Sequence, residues 1–258
     1  MTLKFDKYQG AGNDFVIVNN LDGKHDLSGE QIARLCDRRF GIGADGLILV
    51  EKSNDADFAM KFYNSDGKTA SMCGNGGRCI ARYAFDNGIA AKTMKFAAED
   101  GLHEAEIIDS ENVRIKMINV GNVNVFDDGM WTNTGVPHFV KFVDDIDKVD
   151  IATEGRKLAD DKRFAPDRTN VNFTDNANGF RLRTYERGVE GETLACGTGT
   201  VATALCINTK KGTPSPIALN AKGGLLKVYF EKKENGYENI WLEGPAVKVF
   251  EGKTDGIE

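Results

Sequence analysis

Apolar and polar residues alternate along much of the chain in short runs: DFVIVNN (14–20), ADFAMKFYNS (56–65), NVRIKMINV (112–120), PHFVKFV (137–143), GFRLRTYERG (179–188) and LLKVYFEKK (225–233). A period of two predicts half-buried strands, about a dozen in all. Asn235-Gly236, between LLKVYFEKK and NIWLEG, carries the residues of a tight hairpin, so these two runs are expected to pair antiparallel. Four stretches switch to a helical period. SGEQIARLCDRRFG offers Ser28 as N-cap with Gln31 three residues on, a capping-box spacing, and predicts a stop at Gly41. DIATEGRKLADDKRF (150–164) is amphipathic and reads as an outer helix. RCIARYAFDNG, ending at Gly88, and TVATALCINTKKG, ending in Lys210, Lys211 and Gly212, are apolar almost all round and read as central helices.

Both central helices follow look-alike turns, MCGNGGRC (72–79) and ACGTGTVA (195–202). The chain thus repeats a unit: strands, a cysteine-glycine turn, a buried helix, more strands. The halves divide near residue 118, and 258 residues suffice for two modest cores. With no Pro-, Ser- or charge-rich linker at the division, two packed domains with a cleft between them are expected. The acidic run VDDIDKVD (143–150) reads as a solvated face.

Composition narrows the partners. A net charge of −6 leaves no basic footprint for nucleic acid, and no apolar run reaches the length of a membrane span. The N-terminal MTLKFDKYQG lacks a secretory h-region, so a cytoplasmic protein with a small-molecule partner is expected. The five cysteines include no CxxC pair, and the three histidines stand at no metal-ligand spacing from them. Neither a disulfide framework nor a metal site is indicated, and Cys36, Cys79 and Cys206 read as small core residues.

The two turns carry the candidate chemistry. The first N–H groups of a helix lack intrahelical partners and carry partial positive charge, so they receive a carboxylate or phosphate. The same field is expected to pull a cysteine at the N-terminus toward thiolate. Neither turn has the P-loop lysine or the GxGxxG spacing of a dinucleotide fold. A lone cysteine nucleophile would need one sulfur with a base and an orienting group. Two equivalent turns facing one cleft suit a carboxylate whose α-carbon has a sulfur on each face, one removing the α-proton and the other returning one to the opposite face. That is stereoinversion without a cofactor.

GAGNDFVIV (10–18), DRRFGIGADGLI (37–48), FYNSDGKTASMCGNGGRC (62–79), TGVPHFV (134–140), TNVNF (169–173) and RTYERGVEGETLACGTGT (183–200) resemble the blocks of the diaminopimelate epimerases, in the same order and over nearly the whole chain. The resemblance implies an α+β fold of two similar domains, each a curled, mostly antiparallel sheet wrapped around a central helix. Residues 1–118 with a returning 246–258 would form one domain, and 119–245 the other. It implies interconversion of LL- and meso-diaminopimelate on the way to lysine and peptidoglycan, no cofactor, and a homodimer. By motif, Cys73 and Cys196 take the catalytic positions, Cys196 as acceptor and Cys73 as donor in the LL-to-meso direction. Asn13, Asn64, Asn170 and Arg187 would line the substrate site, Arg187 holding the distal carboxylate. Gly74, Asn75, Gly197 and Thr198 would donate backbone N–H groups to the proximal one. His138 and Glu186 match positions that tune the cysteines and hold the substrate ammonium. Gly46 and Val136 replace a glutamine and an asparagine common in the family. One extra residue between Arg187 and Cys196 predicts a bulged loop. Proline racemases use a similar cysteine pair, but Asn64, Asn170 and Arg187 argue for a substrate with a second carboxylate. An amino-acid-binding protein or a phenazine-type isomerase of the same shape is argued against by the two intact cysteines.

Overall fold

The computed structural model describes residues 2–254. In chain order they form β1 (Leu3–Gly10), β2 (Asn13–Asn19), α1 (Gly29–Cys36), β3 (Gly46–Glu51), β4 (Phe58–Asn64), α2 (Gly74–Asp86), β5 (Thr93–Ala98), β6 (Gly101–Ile107) and β7 (Asn112–Lys116). There follow β8 (Asn124–Phe126), β9 (Gly129–Asn133), β10 (Pro137–Phe142), α3 (Ile151–Ala159), β11 (Asn170–Asp175), β12 (Phe180–Glu186) and β13 (Gly191–Thr193). Last come α4 (Gly197–Lys211), β14 (Ile217–Ala221), β15 (Gly224–Lys233), β16 (Gly236–Pro245) and β17 (Val247–Thr254). The described residues fall into two compact units, one reaching to Ile115 and resuming at Pro245, the other running Lys116–Gly244.

Strand pairing shows that the units are copies of one topology. In the first, the hydrogen-bonded order is β17-β1-β2-β3-β4-β5-β6-β7. In the second it is β8-β9-β10-β11-β12-β14-β15-β16, with β13 added beside the end of β12. Position by position the sense agrees: β2–β3 and β10–β11 are parallel, as are β4–β5 and β12–β14, and the other neighbours in these two orders are antiparallel. Parallel neighbours need a crossover, and each of the four pairs has a helix between its strands. The fold is α+β, mostly antiparallel, as the alternating pattern predicts.

The helices divide into outer and central ones. Ile32, Leu35 and Cys36 of α1 pack on Val16, Val18, Leu47 and Leu49. Ile151, Leu158 and Ala159 of α3 pack on Phe139, Val171, Phe173 and Tyr185. By contrast α2 is buried without a break from Asn75 to Ala84, against β1, β2, β3, β6 and β17. Helix α4 is buried from Gly199 to Asn208, against strands that include β9, β10, β11, β14 and β15. A helix buried on every side must be enclosed, and each of these two is packed against strands of its own unit.

Local chemistry explains most boundaries. Ser28 and Gln31 form the capping box. Gly212, left-handed at φ 68°, closes α4 by donating its N–H to Asn208 O. Helix α1 stops at Cys36, short of the expected Gly41, because the Asp37 carboxylate takes the N–H groups of Arg39 and Phe40, at 2.7 Å each, in competition with helical bonds. The 150–164 stretch breaks likewise: α3 ends at Ala159, and Asp161 caps a separate 3₁₀ turn, Lys162–Phe164. The hairpin of β15 and β16 pairs Lys233 with Gly236, so the turn residues are Glu234 and Asn235 and the glycine opens the strand. Gly236 is needed there because a Cβ would stand 2.3 Å from Val120 O.

Candidate active site

The duplicated topology collects the predicted residues at matching places. In the first unit Phe15 pairs with Gly46 and Gly46 with Asn64, so Asn13, Gly46 and Asn64 sit at one end of three adjacent strands. Helix α2 starts with Cys73 as its N-cap. In the second unit His138 pairs with Asn170 and Val171 with Tyr185, bringing His138, Asn170 and Glu186 to one end of β10, β11 and β12. Helix α4 starts with Cys196.

Around the first turn, the Gly76 N–H donates to Cys73 Sγ at 3.2 Å, and the thiol is half-buried. Gly74 opens the helix beside it. Asn75 is buried and its Nδ2 points to Asn13 Oδ1 at 3.4 Å. Asn13 Nδ2 in turn donates to Asp45 Oδ2 at 2.6 Å, and Arg38 bridges Asp45 and Asp14. Burial disfavours charge on Asp14, but hydrogen bonds from Arg38 and Lys7 win and hold its carboxyl at about 2. Asn64, by contrast, is exposed at the end of β4. Arg78, one turn into α2, was not singled out by its sequence context. It is fully buried and donates to Gly74 O at 3.2 Å, Asn75 Oδ1 at 2.8 Å and Pro245 O at 3.3 Å. All three are neutral acceptors. Burial therefore lowers its guanidinium pKa to about 10, and its positive charge attracts negative charge on Cys73.

Around the second turn the balance differs. Cys196 is buried and its sulfur closes no bond of the kind that Gly76 makes to Cys73; the Gly199 N–H only leans toward it. Burial and the adjacent Glu186 carboxylate push the Cys196 thiol well above its ordinary range, against the smaller pull of Thr198 and Gly199. At Cys196 the expected pull of the helix N-terminus toward thiolate is opposed, and outweighed, by burial and then by the Glu186 carboxylate. Glu186 is held by Thr193 Oγ1 at 2.7 Å. His138 is fully buried, and burial, then the charge of Arg187, depress its pKa to about 3, so the ring is neutral. Its Nε2 lies 2.9 Å from Thr198 Oγ1 and its Nδ1 3.0 Å from Asn172 Nδ2. Thr198 O accepts from Thr134 at 3.0 Å. Asn170 Oδ1 accepts the Arg187 N–H at 3.0 Å, while the Arg187 guanidinium rests on Asp167 O. Glycine is required at 199, where a Cβ would fall 2.4 Å from Asn172 Oδ1.

Cys36, Cys79 and Cys206 are buried, as their sequence context predicts, and burial raises each thiol, Cys36 to about 11. At Gly46 a Cβ would meet Tyr63 O at 2.5 Å and the Phe62 ring at 2.6 Å, so this backbone has no room for a side chain at that position. Val136 is half-buried just before β10. The extra residue expected after Arg187 falls in the turn at 187–190. It is absorbed in a hairpin in which β13 folds back on β12 and pairs Glu186 with Gly191. Glu190, at φ 58°, ties that turn down by accepting from Tyr185 at 2.9 Å, Gly188 at 2.9 Å and Arg168 at 2.7 Å.

The duplicated α+β architecture is that of the PhzF-type and proline racemase-type proteins. Among solved structures, a PhzF-family phenazine biosynthesis protein from Bacillus anthracis aligns with a TM-score of 0.77 at 15% identity, covering 99% of this chain and 100% of that one. A hydroxyproline epimerase from Agrobacterium vitis, solved with trans-4-hydroxy-L-proline bound, aligns with a TM-score of 0.68 at 14% identity, covering 98% and 92%. The sequence is far more specific. The family model described as diaminopimelate epimerase matches residues 5–125 and 130–249. Diaminopimelate epimerases of Flavobacterium psychrophilum and Chlorobaculum tepidum are 44% and 43% identical, covering 96% and 94% of this chain and 99% and 98% of their own lengths. One from Archaeoglobus fulgidus is 38% identical over 98% of this chain and 96% of its own. The chain belongs to the diaminopimelate epimerase family.

Proposed function

We propose that the chain is a diaminopimelate epimerase that interconverts the LL and meso isomers by two-base proton transfer between Cys73 and Cys196, without a cofactor, in the supply of lysine and peptidoglycan precursors. The observation that carries the reading is the pair of cysteine N-caps at equivalent places in a duplicated unit. In the LL-to-meso direction Cys196, as thiolate, takes the α-proton, and the Cys73 thiol delivers its own proton to the opposite face of the carbanion. The two sulfurs end with protonation states exchanged, and the reverse reaction restores them. The N–H groups of Gly74, Asn75, Gly197 and Thr198 hold the α-carboxylate as charge develops; one such donor is worth about 2.7–4 kcal/mol. Arg187, with Asn64 and Asn170, receives the distal carboxylate, for which a planar guanidinium is suited.

The raised Cys196 thiol gives this reading a trigger. Alone, the sulfur is a thiol facing a carboxylate. A substrate ammonium set against Glu186 neutralises the charge that opposes ionisation, so the base forms when substrate is present. The domains are proposed to be those of the two units, and the working form a cytoplasmic homodimer after the family's pattern. Among the described residues no helix is long and apolar enough to cross a membrane. The test is α-hydrogen exchange in deuterated water with LL-diaminopimelate and L-proline side by side. Incorporation into diaminopimelate alone is expected, whereas exchange into proline alone would reject the substrate assignment.

A further inference from the structure

Behind Cys196 the second unit holds a string of buried polar side chains whose donor and acceptor roles can be worked out in sequence. Asn172 Nδ2 lies 3.3 Å from Phe139 O, which can only accept, so the amide orientation is set with Nδ2 on that side. Asn172 Oδ1 then accepts from Thr184 Oγ1 at 2.9 Å. The second Nδ2 hydrogen points at His138 Nδ1, 3.0 Å away, which must accept and carries no proton. A neutral imidazole with bare Nδ1 is protonated on Nε2, and that N–H faces Thr198 Oγ1 at 2.9 Å. With its oxygen accepting from His138, the Thr198 hydroxyl keeps its hydrogen free to donate, and Cys196 Sγ, an acceptor once it is thiolate, stands 3.5 Å from it.

We propose that Thr184, Asn172, His138 and Thr198 form a directed hydrogen-bond string whose purpose is to aim a hydroxyl donor at Cys196, with Asn172 and Thr184 as positioning residues that select the His138 tautomer. Resting on the proposed role of Cys196, this assigns work to two residues, Asn172 and Thr184, for which the resemblance implies no role, and to the side chain, not only the backbone, of Thr198. A hydroxyl donor stabilises thiolate over thiol, opposing the effect of burial and Glu186. His138 does not exchange a proton with substrate here; it stays neutral and orients Thr198. The charged groups acting on the string are Arg187, which reinforces the neutrality of His138, and Glu186, which opposes ionisation of Cys196. Burial of Asn172, Thr184 and His138 keeps water from offering other partners.

Asn172→Asp is the sharpest test. A carboxylate accepts only, so it requires a proton on His138 Nδ1; in the neutral ring Nε2 becomes an acceptor and draws the Thr198 hydroxyl away from sulfur. The measurements are ¹⁵N-histidine NMR, which reports the tautomer with only His25 and His103 as other signals, and the pH profile of iodoacetamide labelling of Cys196, read by peptide mass in a Cys73→Ala background. The wild-type His138 is expected as the Nε2–H tautomer. In N172D a proton should appear on Nδ1, and Cys196 labelling near neutral pH should slow about tenfold, the scale of one hydrogen bond to a charged group. Thr184→Val, which removes only the far end, should loosen the tautomer preference and slow labelling less; it serves if N172D does not fold. Thr198→Val should slow labelling while leaving the tautomer unchanged. An Nδ1–H tautomer in the wild type, or Cys196 labelling unaffected by T198V, overturns the proposal. Because neither readout uses diaminopimelate, these outcomes are separable from failure of the epimerase reading.

Discussion

The cysteine turns of the two units share a sequence motif, a place in the topology and a helix N-terminus, yet their surroundings carry opposite charge. Behind Cys73 lies a fully buried guanidinium bonded only to neutral oxygens. Five residues after Cys196, where Arg78 stands after Cys73, is Val201, also fully buried. The charge beside Cys196 is instead the Glu186 carboxylate, and a neutral hydrogen-bond string supplies the compensation. Without substrate these charges favour thiolate at Cys73 and thiol at Cys196, the states from which the proposed meso-to-LL direction starts; the LL-to-meso direction needs the substrate ammonium to neutralise Glu186 first. Duplication supplied equivalent positions, and substitution around them made the two sulfurs unequal.

The largest expected effect tests whether both turns work. Cys73→Ala and Cys196→Ala should each lower interconversion of LL- and meso-diaminopimelate by a factor of about a hundred to ten thousand, the usual contribution of a positioned acid or base. A single mutant near the wild-type rate would remove that turn from the mechanism.

Arg78→Met removes the asymmetry on the first side. Its three acceptors lose their donors in a buried site, so urea unfolding should show a loss of about 3 kcal/mol, taking roughly 1 kcal/mol for each bond. Iodoacetamide labelling of Cys73 should also slow, while Cys196 labelling is unchanged. Equal slowing at both cysteines would mean a general loosening and no local charge effect.

His138 gives the comparison a pH signature. Its folded pKa of about 3 lies below its ordinary 6.5, so between these values the unfolded chain binds a proton that the native state refuses. Stability from this group is therefore complete above pH 6.5 and falls on acidification by about 1.4 kcal/mol per pH unit until pH 3. His138→Gln should flatten this limb relative to the wild type in urea melts at pH 4–6.5, an interval inside that window. Parallel curves for the two proteins would contradict the buried neutral ring.

The smallest effect concerns a cysteine outside the turns. Cys206→Ala, in the core of α4, should cost about 1 kcal/mol of stability for its lost apolar volume and leave epimerisation unchanged. A large loss of activity would mean that the sulfur of a third cysteine takes part.

Legibility from sequence followed the range of the forces. The Ser28 capping box and the Gly212 stop involve neighbours a few residues apart, and both stand where the pattern places them. The premature end of α1 was written locally too, in Asp37, but as competition between side chain and helix that a hydrophobic period does not register. About a dozen strands were readable where the described residues contain seventeen, the missed ones including three-residue pieces such as β8 and β13, too short to show a period. Within the site, Cys73 and Cys196 stood out because each sits in a glycine turn before an apolar helix. Asn172 did not: a polar residue two positions from Asn170 in a strand shares its face, and only the partner across the sheet tells whether it has work to do.

By itself the sequence determined the repeat, the two cysteine turns at helix starts and the family to which the chain belongs, because caps, turns and periodicity act over a few residues. Tertiary structure alone decided which charge each sulfur feels. Desolvation and Coulomb forces depend on groups brought together from afar, as with His138 and Thr198, 60 residues apart in sequence and 2.9 Å apart in space.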